Sequence, residues 1–454
     1  MTVAGALRFR VMALRLPTLR HPHDPEILRL ALPAFGALVA EPLFLLTDSA
    51  IIGHLGTVPL GALGVAGQIL STFVSLCIFL AYTTTASVAR QIGAGNVREA
   101  IRQGVDGIWL AAVIGVLIIA VGWPLTPALV DAFGASAAVA PQAETYLHIS
   151  LFGVPGMLIV LAGTGVLRGM QDTRTPLYVS VGMFALNGAL GALFVLGFGW
   201  GIAGSAWGTV LAQTGGAVLY AAAVARGARR HGAPLRPDAK GLRASTSAGF
   251  NLMIRTLSLR VVLVVGTAVA ARMGDVQIAA HQIASNVWSL LAFALDAIAI
   301  AGQAITGRYL GAEDVAGVRA ATRRMIEWGI ASGVLFALLV LAGRPWLPAV
   351  FTSDPAVRSQ LLAALVVVAL LEPIAGVVFV LDGVLIGAGD QAYLAVAGVI
   401  QTAAFLPVAW LVHVYGGGLV ALWLAIGVWM AARLITLGLR ARNDAWLVTG
   451  AVRR

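Results

Sequence analysis

Long apolar runs recur along the whole chain and are separated by short polar segments. A helix that crosses the roughly 30 Å hydrocarbon core of a bilayer needs about 20 mostly apolar residues. Twelve runs of this kind are present, and they are centred near residues 38, 70, 113, 155, 186, 213, 261, 291, 334, 370, 402 and 427. The pattern therefore predicts an all-α integral membrane protein with twelve transmembrane helices.

The composition supports lipid as the solvent of this chain. Of its 454 residues, 59% are hydrophobic and 11% are charged, whereas soluble proteins average about 45–50% apolar and about 25% charged residues. No soluble core could bury so much apolar surface. The 53 glycines suit the close packing of membrane helices. The single cysteine, Cys77, excludes a disulfide within the chain.

The net charge of +10 is spread over many short segments between the apolar runs, so we expect no nucleic-acid partner. Cytoplasmic loops of membrane proteins carry an excess of Lys and Arg. If the N-terminus lies inside, the inner segments collect most of the basic residues, including those of residues 8–29, 90–102 and 226–243, together with Arg168 and Arg433. This predicts a multi-pass protein of the inner (cytoplasmic) membrane with both termini in the cytoplasm.

The two halves of the chain match at an offset of 218 residues. RQIGAG at Arg90 aligns with RYLGAE at Arg308, and GVLRGMQD at Gly165 aligns with GVLIGAGD at Gly383. Six spans in each half would enter the membrane in the same direction, so a pseudo-twofold axis along the membrane normal should relate them. We predict two pseudo-symmetric six-helix bundles around a central cavity: an N-lobe (1–225), a cytoplasmic linker (226–245) and a C-lobe (246–454).

Ionisable side chains within spans are costly and usually face an interior cavity. Two bases in the spans, Arg255 and Arg260, stand against five acids: Glu41, Asp48, Asp296, Glu372 and Asp382. Since these charges cannot all pair, the pattern predicts a net negative interior in which some carboxylates are hydrated, protonated or bound to a cation. Burial disfavours the charged form of a carboxyl group, so such a group can carry a proton.

Asp48 is the strongest candidate for a cation-coupling residue. It follows Glu41 by seven residues and so lies on the same helix face, with Pro42 between them to open the hydrogen-bond ladder. Two alternatives stay open: Asp48 could cap a helix end, and Glu41 could be a structural partner rather than a cavity residue.

In the second half, Arg255 and Asp382 should both lie near the inner ends of their spans, which predicts an ion pair. Arg260, Asp296 and Glu372 should lie nearer mid-depth and form a second polar cluster, serving either as a structural network or as substrate contacts. The histidines lack metal-ligand spacing and no nucleophile motif is present, so we expect no metal, no cofactor and no catalytic residue.

Several motifs resemble the multidrug and toxic compound extrusion (MATE) family: EPLFLLTDSAIIGHLG, RQIGAGN, LRGMQDTRTP and FVLDGVLIGAGD. Within this family, IRTL at Ile254 and FVLDG at Phe379 resemble the DinF-type branch. The resemblance covers nearly the whole chain, from about Ile27 to Arg440. It implies cation-coupled antiport of organic, often cationic, compounds out of the cytoplasm.

The resemblance also assigns roles to particular residues. Asp48 matches the first-helix aspartate that binds the coupling cation, a proton in this branch, and Asn187 matches an asparagine of the same N-lobe site. Many relatives carry an aspartate four residues after this asparagine, where the present chain has Gly191. The site would then depend on Asp48, with Glu41 as a helper, and a two-carboxylate sodium site is disfavoured.

Together these observations predict a monomeric, lipid-embedded, proton-coupled antiporter that exports cationic or amphipathic organic compounds by alternating access. Sodium coupling is one alternative. A flippase for a lipid-linked headgroup is another, although such a protein should place several arginines or lysines in its cavity, against the negative interior predicted above. An integral membrane enzyme is a third, disfavoured because no nucleophile–base pair is apparent.

Overall fold

The computed structural model of the protein describes residues 21–453, except for the side chains of Glu41, Phe44, Leu45 and Lys240. The basic residues of the first twenty positions lie outside the described residues, and so does the side chain of Glu41, one of the predicted coupling residues. Throughout the described range the chain forms helices joined by short turns, without any strand.

The first half contains eight helices, and the seventh continues into a π-helical turn, Leu193–Gly197. Their bounds are α1 (Asp24–Gly53), α2 (Thr57–Leu76), α3 (Phe79–Gly93), α4 (Val97–Ala132), α5 (Ala140–Leu151), α6 (Val154–Gly169), α7 (Arg174–Ala192) and α8 (Gly201–Arg230). α8 extends into the segment suggested as a linker, and the next helix begins within it, so only residues 231–238 between them are non-helical.

The second half contains seven helices and ends in a 3-10 turn, Asp444–Trp446. Their bounds are α9 (Ala239–Met273), α10 (Asp275–Gly311), α11 (Val315–Gly343), α12 (Leu347–Phe351), α13 (Pro355–Gly387), α14 (Gln391–Val414) and α15 (Gly418–Arg442). The short helix α12 lies in the connection between two long ones.

These helices form twelve spans, as the apolar runs predict. By length and composition, ten helical segments can cross a membrane, and α2 and α3 count together as one of them. The pair α5 and α6, bent by 50°, makes an eleventh. The helix α1, with 30 residues, is long enough to be the twelfth. The break lies just before Pro155, which has no backbone N–H to donate to the carbonyl of Leu151, where α5 ends.

The two halves meet through equivalent residues of the repeat. A Cβ atom on Gly93 would collide with the backbone carbonyl oxygen of Arg308, and a Cβ atom on Gly311 would collide with that of Arg90. In the alignment of the halves, Gly93 corresponds to Gly311 and Arg90 to Arg308. The duplication is therefore visible as a reciprocal glycine contact, and we call this junction the closed end.

Further contacts at the closed end also connect the halves. Gln171, after α6, donates a hydrogen bond to the carbonyl oxygen of Ala304 at 2.9 Å, and Arg324 of α11 donates to Asp24 of α1 at 2.6 Å. Arg90 donates to the carbonyl oxygen of Ala388 at 2.9 Å. These contacts involve the ends of α3, α10 and α13 and the starts of α1 and α11, so together they seal the interface between the halves on one side.

Residues 448–453 pack against the closed end. Arg90 of α3 donates hydrogen bonds to the carbonyl oxygens of Val448 and Gly450, at 2.7 and 3.1 Å. Arg453 pairs with Asp390 at 2.8 Å, at the start of α14. The C-terminal segment therefore ties a helix of the first half to the second half.

Candidate functional site

Asp48 is buried in the C-terminal half of α1, with 4% of its surface exposed. The hydroxyl of Ser205, on α8, donates a hydrogen bond to its Oδ1 atom at 2.6 Å. The hydroxyl of Tyr146, on α5, is a second hydrogen-bonding partner. Because α1 ends at Gly53 with His54 as its C-cap, Asp48 does not cap the helix. That alternative is wrong: the carboxylate points into the first bundle.

Asn187, on α7, belongs to the same polar network. Its amide donates to the hydroxyl of Thr209, on α8, at 2.8 Å, and Tyr146 interacts with both Thr209 and Ser205. The structure thus brings together the two residues that the resemblance indicates, Asp48 and Asn187. We call the five residues Asp48, Tyr146, Asn187, Ser205 and Thr209 the N-lobe site.

The sequence did not single out three members of this site. Ser205 and Thr209 are four residues apart on one face of α8, and Tyr146 lies on the short helix before the bend. The available sequence signal was the pair of hydroxyl residues, Ser205 and Thr209, spaced one helical turn apart. It is weak, because serine and threonine in membrane helices often bond to their own backbone.

Among the described residues, no arginine, lysine or histidine pairs with Asp48. Its carboxylate is held by hydroxyl groups alone. A buried carboxylate without a counter-charge is costly, and binding a proton or a metal cation relieves that cost. The N-lobe site can therefore perform reversible cation binding.

Gly191 lies one turn after Asn187 on α7. A Cβ atom there would meet the Cδ1 atom of Ile51, on α1, at 3.6 Å, which is an ordinary van der Waals distance. The space at this position can accept a small side chain towards α1, and in this chain it holds no carboxylate.

The predicted ion pair between Arg255 and Asp382 is confirmed. The Nε atom of Arg255 donates to Oδ1 of Asp382 at 3.0 Å, and its Nη2 atom pairs with Oδ2. Arg433 of α15 adds a contact of 3.3 Å to Oδ2, and its guanidinium lies 5.0 Å from the ring centroid of Trp429. Asp382 is thus neutralised by two buried guanidinium groups.

Asp296, on α10, is half-buried and makes no ion pair or hydrogen bond with the described residues. Its charge interacts instead, at longer range, with Arg255, Arg433 and Arg168. Arg168 belongs to α6, in the other half of the molecule, and is 9% exposed. We call Arg168, Arg255, Asp296, Asp382 and Arg433 the interlobe cluster.

The predicted cluster of Arg260, Asp296 and Glu372 is wrong. Arg260 follows Arg255 by five residues, which rotates it by about 140° around α9, away from the interlobe cluster. Glu372 is buried in α13, its Oε2 atom has no hydrogen-bond partner among the described residues, and no charged group acts on it. Only Asp296 of the three lies beside other charges.

The interlobe cluster carries more positive charge than the sequence predicts for the interior. The sequence places Arg168 and Arg433 in inner polar segments, yet both are buried in helices, at the last turn of α6 and within α15. Helical side chains lean towards the N-terminus of their helix, which here directs these arginines away from the closed end. The interlobe cluster therefore holds three guanidinium groups and two carboxylates, a formal charge of +1.

Within residues 21–453, no three His, Cys, Asp or Glu side chains come together in a way that could hold a metal ion. The side chains of the N-lobe site offer a metal cation a mixed set of oxygen atoms, from one carboxylate, three hydroxyls and one amide.

Comparison with known proteins gives consistent matches over both halves. The MatE family model matches residues 33–193 and again residues 252–411. "Protein DETOXIFICATION 44, chloroplastic" of Arabidopsis thaliana is 30% identical, over 94% of this chain and 86% of that protein. "DNA damage-inducible protein F" of Escherichia coli K12 is 30% identical, over 93% of this chain and 94% of that protein.

The fold is also that of solved structures. The crystal structure of a mutant MATE transporter from Vibrio cholerae superposes with a TM-score of 0.85 at 23% sequence identity, covering 93% of this chain and 98% of that one. This likeness confirms the predicted fold, twelve helices in two bundles.

Proposed function

Because the chain belongs to the MATE family of membrane transporters, we propose that it is a proton-coupled antiporter that exports organic compounds from the cytoplasm. Members of this family are multi-pass efflux transporters of small organic molecules and not enzymes, which confirms the predicted class. The coupling ion, the kind of substrate and the orientation in the membrane belong to the proposal.

The observation that carries the proposal is the state of Asp48. This carboxylate is buried, accepts hydrogen bonds from hydroxyl groups, and has no counter-charge among the described residues. Asn187 donates to Thr209 rather than to the carboxylate, which leaves a proton as the simplest partner for Asp48. The absence of a second carboxylate at Gly191 supports proton over sodium coupling.

The closed end and the predicted orientation in the membrane together indicate which conformational state is described. In the predicted orientation, the ends of α3, α6 and α10 face the cytoplasm, so the described conformation is closed on the cytoplasmic side, as the outward-facing state of an alternating-access cycle requires. In this state Asp48 takes up a proton and loses its charge, and substrate leaves. After the lobes rock, the proton departs to the cytoplasm. One charge crossing 100 mV is worth about 2.3 kcal/mol, enough for a gradient of tens-fold when one proton is exchanged for one molecule without net charge.

We further propose that the protein lies in the inner membrane as a monomer in direct contact with lipid, with both termini in the cytoplasm and no cofactor besides the coupling ion. The segregation of basic residues supports this orientation.

A flippase for a lipid-linked headgroup is a second candidate. The sequence disfavours it because of the predicted negative interior, and the burial of Arg168 and Arg433 weakens that objection. Three arginines, Arg168, Arg255 and Arg433, lie in the interlobe cluster, and arginine is well suited to phosphate groups.

The test is substrate-induced proton movement in everted vesicles with a fluorescent cationic dye. Wild-type protein should collapse the pH gradient when the dye is added, and Asp48→Asn should abolish this response at equal expression. Asp275→Asn is the matched control, because it removes an exposed carboxylate at the start of α10. A full response from Asp48→Asn would overturn the assignment of the proton carrier. A response to sodium instead of protons would overturn proton coupling, and a response to neither ion would favour the flippase.

A further inference from the structure

Arg168 is a charged side chain that the coupling mechanism above does not use. It is 9% exposed, its Nε atom is buried without a partner, and no hydrogen bond or ion pair joins it to the described residues. Removing a guanidinium from water is costly unless an anion or hydrogen bonds compensate it. A buried arginine of this kind therefore indicates a missing negative group.

The chain's own carboxylates do not supply that group. Asp382 is engaged by Arg255 and Arg433, with contacts of 3.0 and 3.3 Å. Asp296 acts on Arg168 only at long range and is itself unpaired. One guanidinium of the first half and one carboxylate of the second half thus lie near each other without contact.

We propose that Arg168 binds an oxyanion group of the substrate, a carboxylate or a phosphate, while Asp296 on the other lobe binds a cationic group of the same molecule. The substrates are then zwitterions rather than simple cations. This assignment deepens the proposed export function and rests on it. The oxyanion can belong to a free organic compound or to a lipid headgroup, since both present the same chemistry to a guanidinium.

The position of the two residues connects binding with the movement of the lobes. Arg168 is carried by α6 and Asp296 by α10, helices that belong to different halves. When the lobes rock, the distance between the two side chains must change, so a zwitterion can contact both residues well in only one state. A ligand shifts a conformational equilibrium only through such a difference in affinity.

The competing explanation is that Arg168 and Asp296 form a charge pair that holds the lobes together in another state of the cycle. Such a pair needs two opposite charges, but it does not matter which of the two residues carries which charge. The double variant with Arg168→Asp and Asp296→Arg should then recover the activity that each single variant loses. For a substrate site formed by particular helices, the exchange should not restore binding.

The experiment compares two dyes that differ in one carboxylate. Rhodamine B is a zwitterion at neutral pH, and its ethyl ester is a cation with the same ring system. Binding of each to the purified protein in micelles of dodecyl maltoside, a detergent without a phosphate group, is followed by fluorescence anisotropy. We expect the wild type to bind rhodamine B about tenfold more tightly than the ester, and Arg168→Gln to remove this preference, since loss of one partner of a buried charge pair weakens binding by tenfold or more.

Two variants keep the result interpretable. Arg260→Gln removes a half-buried arginine of α9 that has no ion pair among the described residues, and it should retain the preference. Arg168→Lys keeps the charge without the planar fork, and it should retain part of the preference. Equal wild-type affinity for both dyes would overturn the proposal, as would a preference that persists in Arg168→Gln or returns in the exchanged double variant.

A second series of measurements uses phosphatidylcholine nanodiscs, in which the lipid headgroup carries both a phosphate and a cationic group. Competition by this lipid in the wild type and not in Arg168→Gln identifies a lipid phosphate as an oxyanion for the site, whereas unchanged dye binding assigns the site to free compounds. The binding assay needs no ion gradient, so it does not depend on proton coupling. If the oxyanion site is absent, the Asp48-dependent proton response to the ester dye should persist, and the two proposals therefore fail separately.

Discussion

Substitution of Gly311 by alanine should open the closed end. This glycine of α10 lies against the backbone of Arg90, and its repeat equivalent, Gly93, lies against the backbone of Arg308. A new Cβ atom would fall well inside the roughly 3.5 Å at which nonbonded heavy atoms rest. The obstacle is a backbone carbonyl, which cannot rotate away, so the two helices must separate by more than about 1 Å.

The expected magnitude follows from the cost of overpacking. Extra methylene groups in a well-packed contact typically cost about 1–3 kcal/mol. Because the Gly311 contact exists only while the halves are sealed, this cost falls on the closed state and shifts the equilibrium towards the open state by about 5–150-fold. Gly93→Ala strains the symmetry-equivalent contact and should act in the same direction.

The opening can be measured by double electron–electron resonance between spin labels on the two lobes. Arg174→Cys and Ala316→Cys place labels at the exposed starts of α7 and α11, in a background where the buried Cys77 is replaced by alanine. Gly311→Ala should add a population with longer distances. Gly438→Ala is the control, because nothing lies within 4 Å of its new Cβ atom. An unchanged distance distribution in a folded Gly311→Ala protein would refute the reasoning.

Three further predictions concern charged residues. Asp382→Asn leaves two guanidinium groups buried without their carboxylate, so it should destabilise the protein by about 3–5 kcal/mol, more than Arg255→Gln does. Equal losses of unfolding free energy for the two variants, measured with denaturant, would contradict this. The Arg324 guanidinium holds the pKa of Asp24, ahead of the first apolar run, well below its usual range. The stability from this pair is therefore present above about pH 4 and lost as the pH falls further. Below about pH 4, the melting temperature of Asp24→Asn should therefore vary less with pH than that of the wild type. Parallel pH profiles of the two proteins would contradict this. Gly191→Asp adds a second carboxylate near Asp48 and should make the melting temperature rise in sodium relative to potassium chloride; an equal response to both salts would show that the added carboxylate creates no sodium site.

Much of the architecture could be read from the sequence because it depends on local patterns. The apolar runs predict the spans, and the repeat at Arg90 and Arg308 predicts two equivalent halves. The repeat did not show that these equivalent segments touch. That contact depends on how the bundles dock, which the spacing of residues within one helix cannot specify.

The candidate sites were harder to read, for a different reason. Asp48 is conspicuous as an acid inside an apolar run, whereas Ser205 and Thr209 are ordinary helix residues until α8 packs beside α1. Arg168 and Arg433 escaped notice because hydropathy cannot separate an arginine in a loop from one that is buried near the end of a span. In membrane proteins, sequence patterns predict the burial of a side chain least well at the ends of helices.

The path of α1 shows how proton binding can act on the seal between the lobes. Near its start, Asp24 pairs with Arg324 of the second half, and Ala34 packs against Ala297 and Ile300 of α10. Further along the same helix, Asp48 is bound to the first half through Ser205. Pro42 lies between these regions, where its missing backbone donor makes the helix easier to bend. Protonation of Asp48 weakens its hydrogen bond with Ser205 of α8. We expect α1 to bend as a result, and the contact between α1 and α10 to change first. A variant that replaces Pro42 by alanine should therefore keep proton binding at Asp48 but lose the effect of pH on the distance between the spin labels.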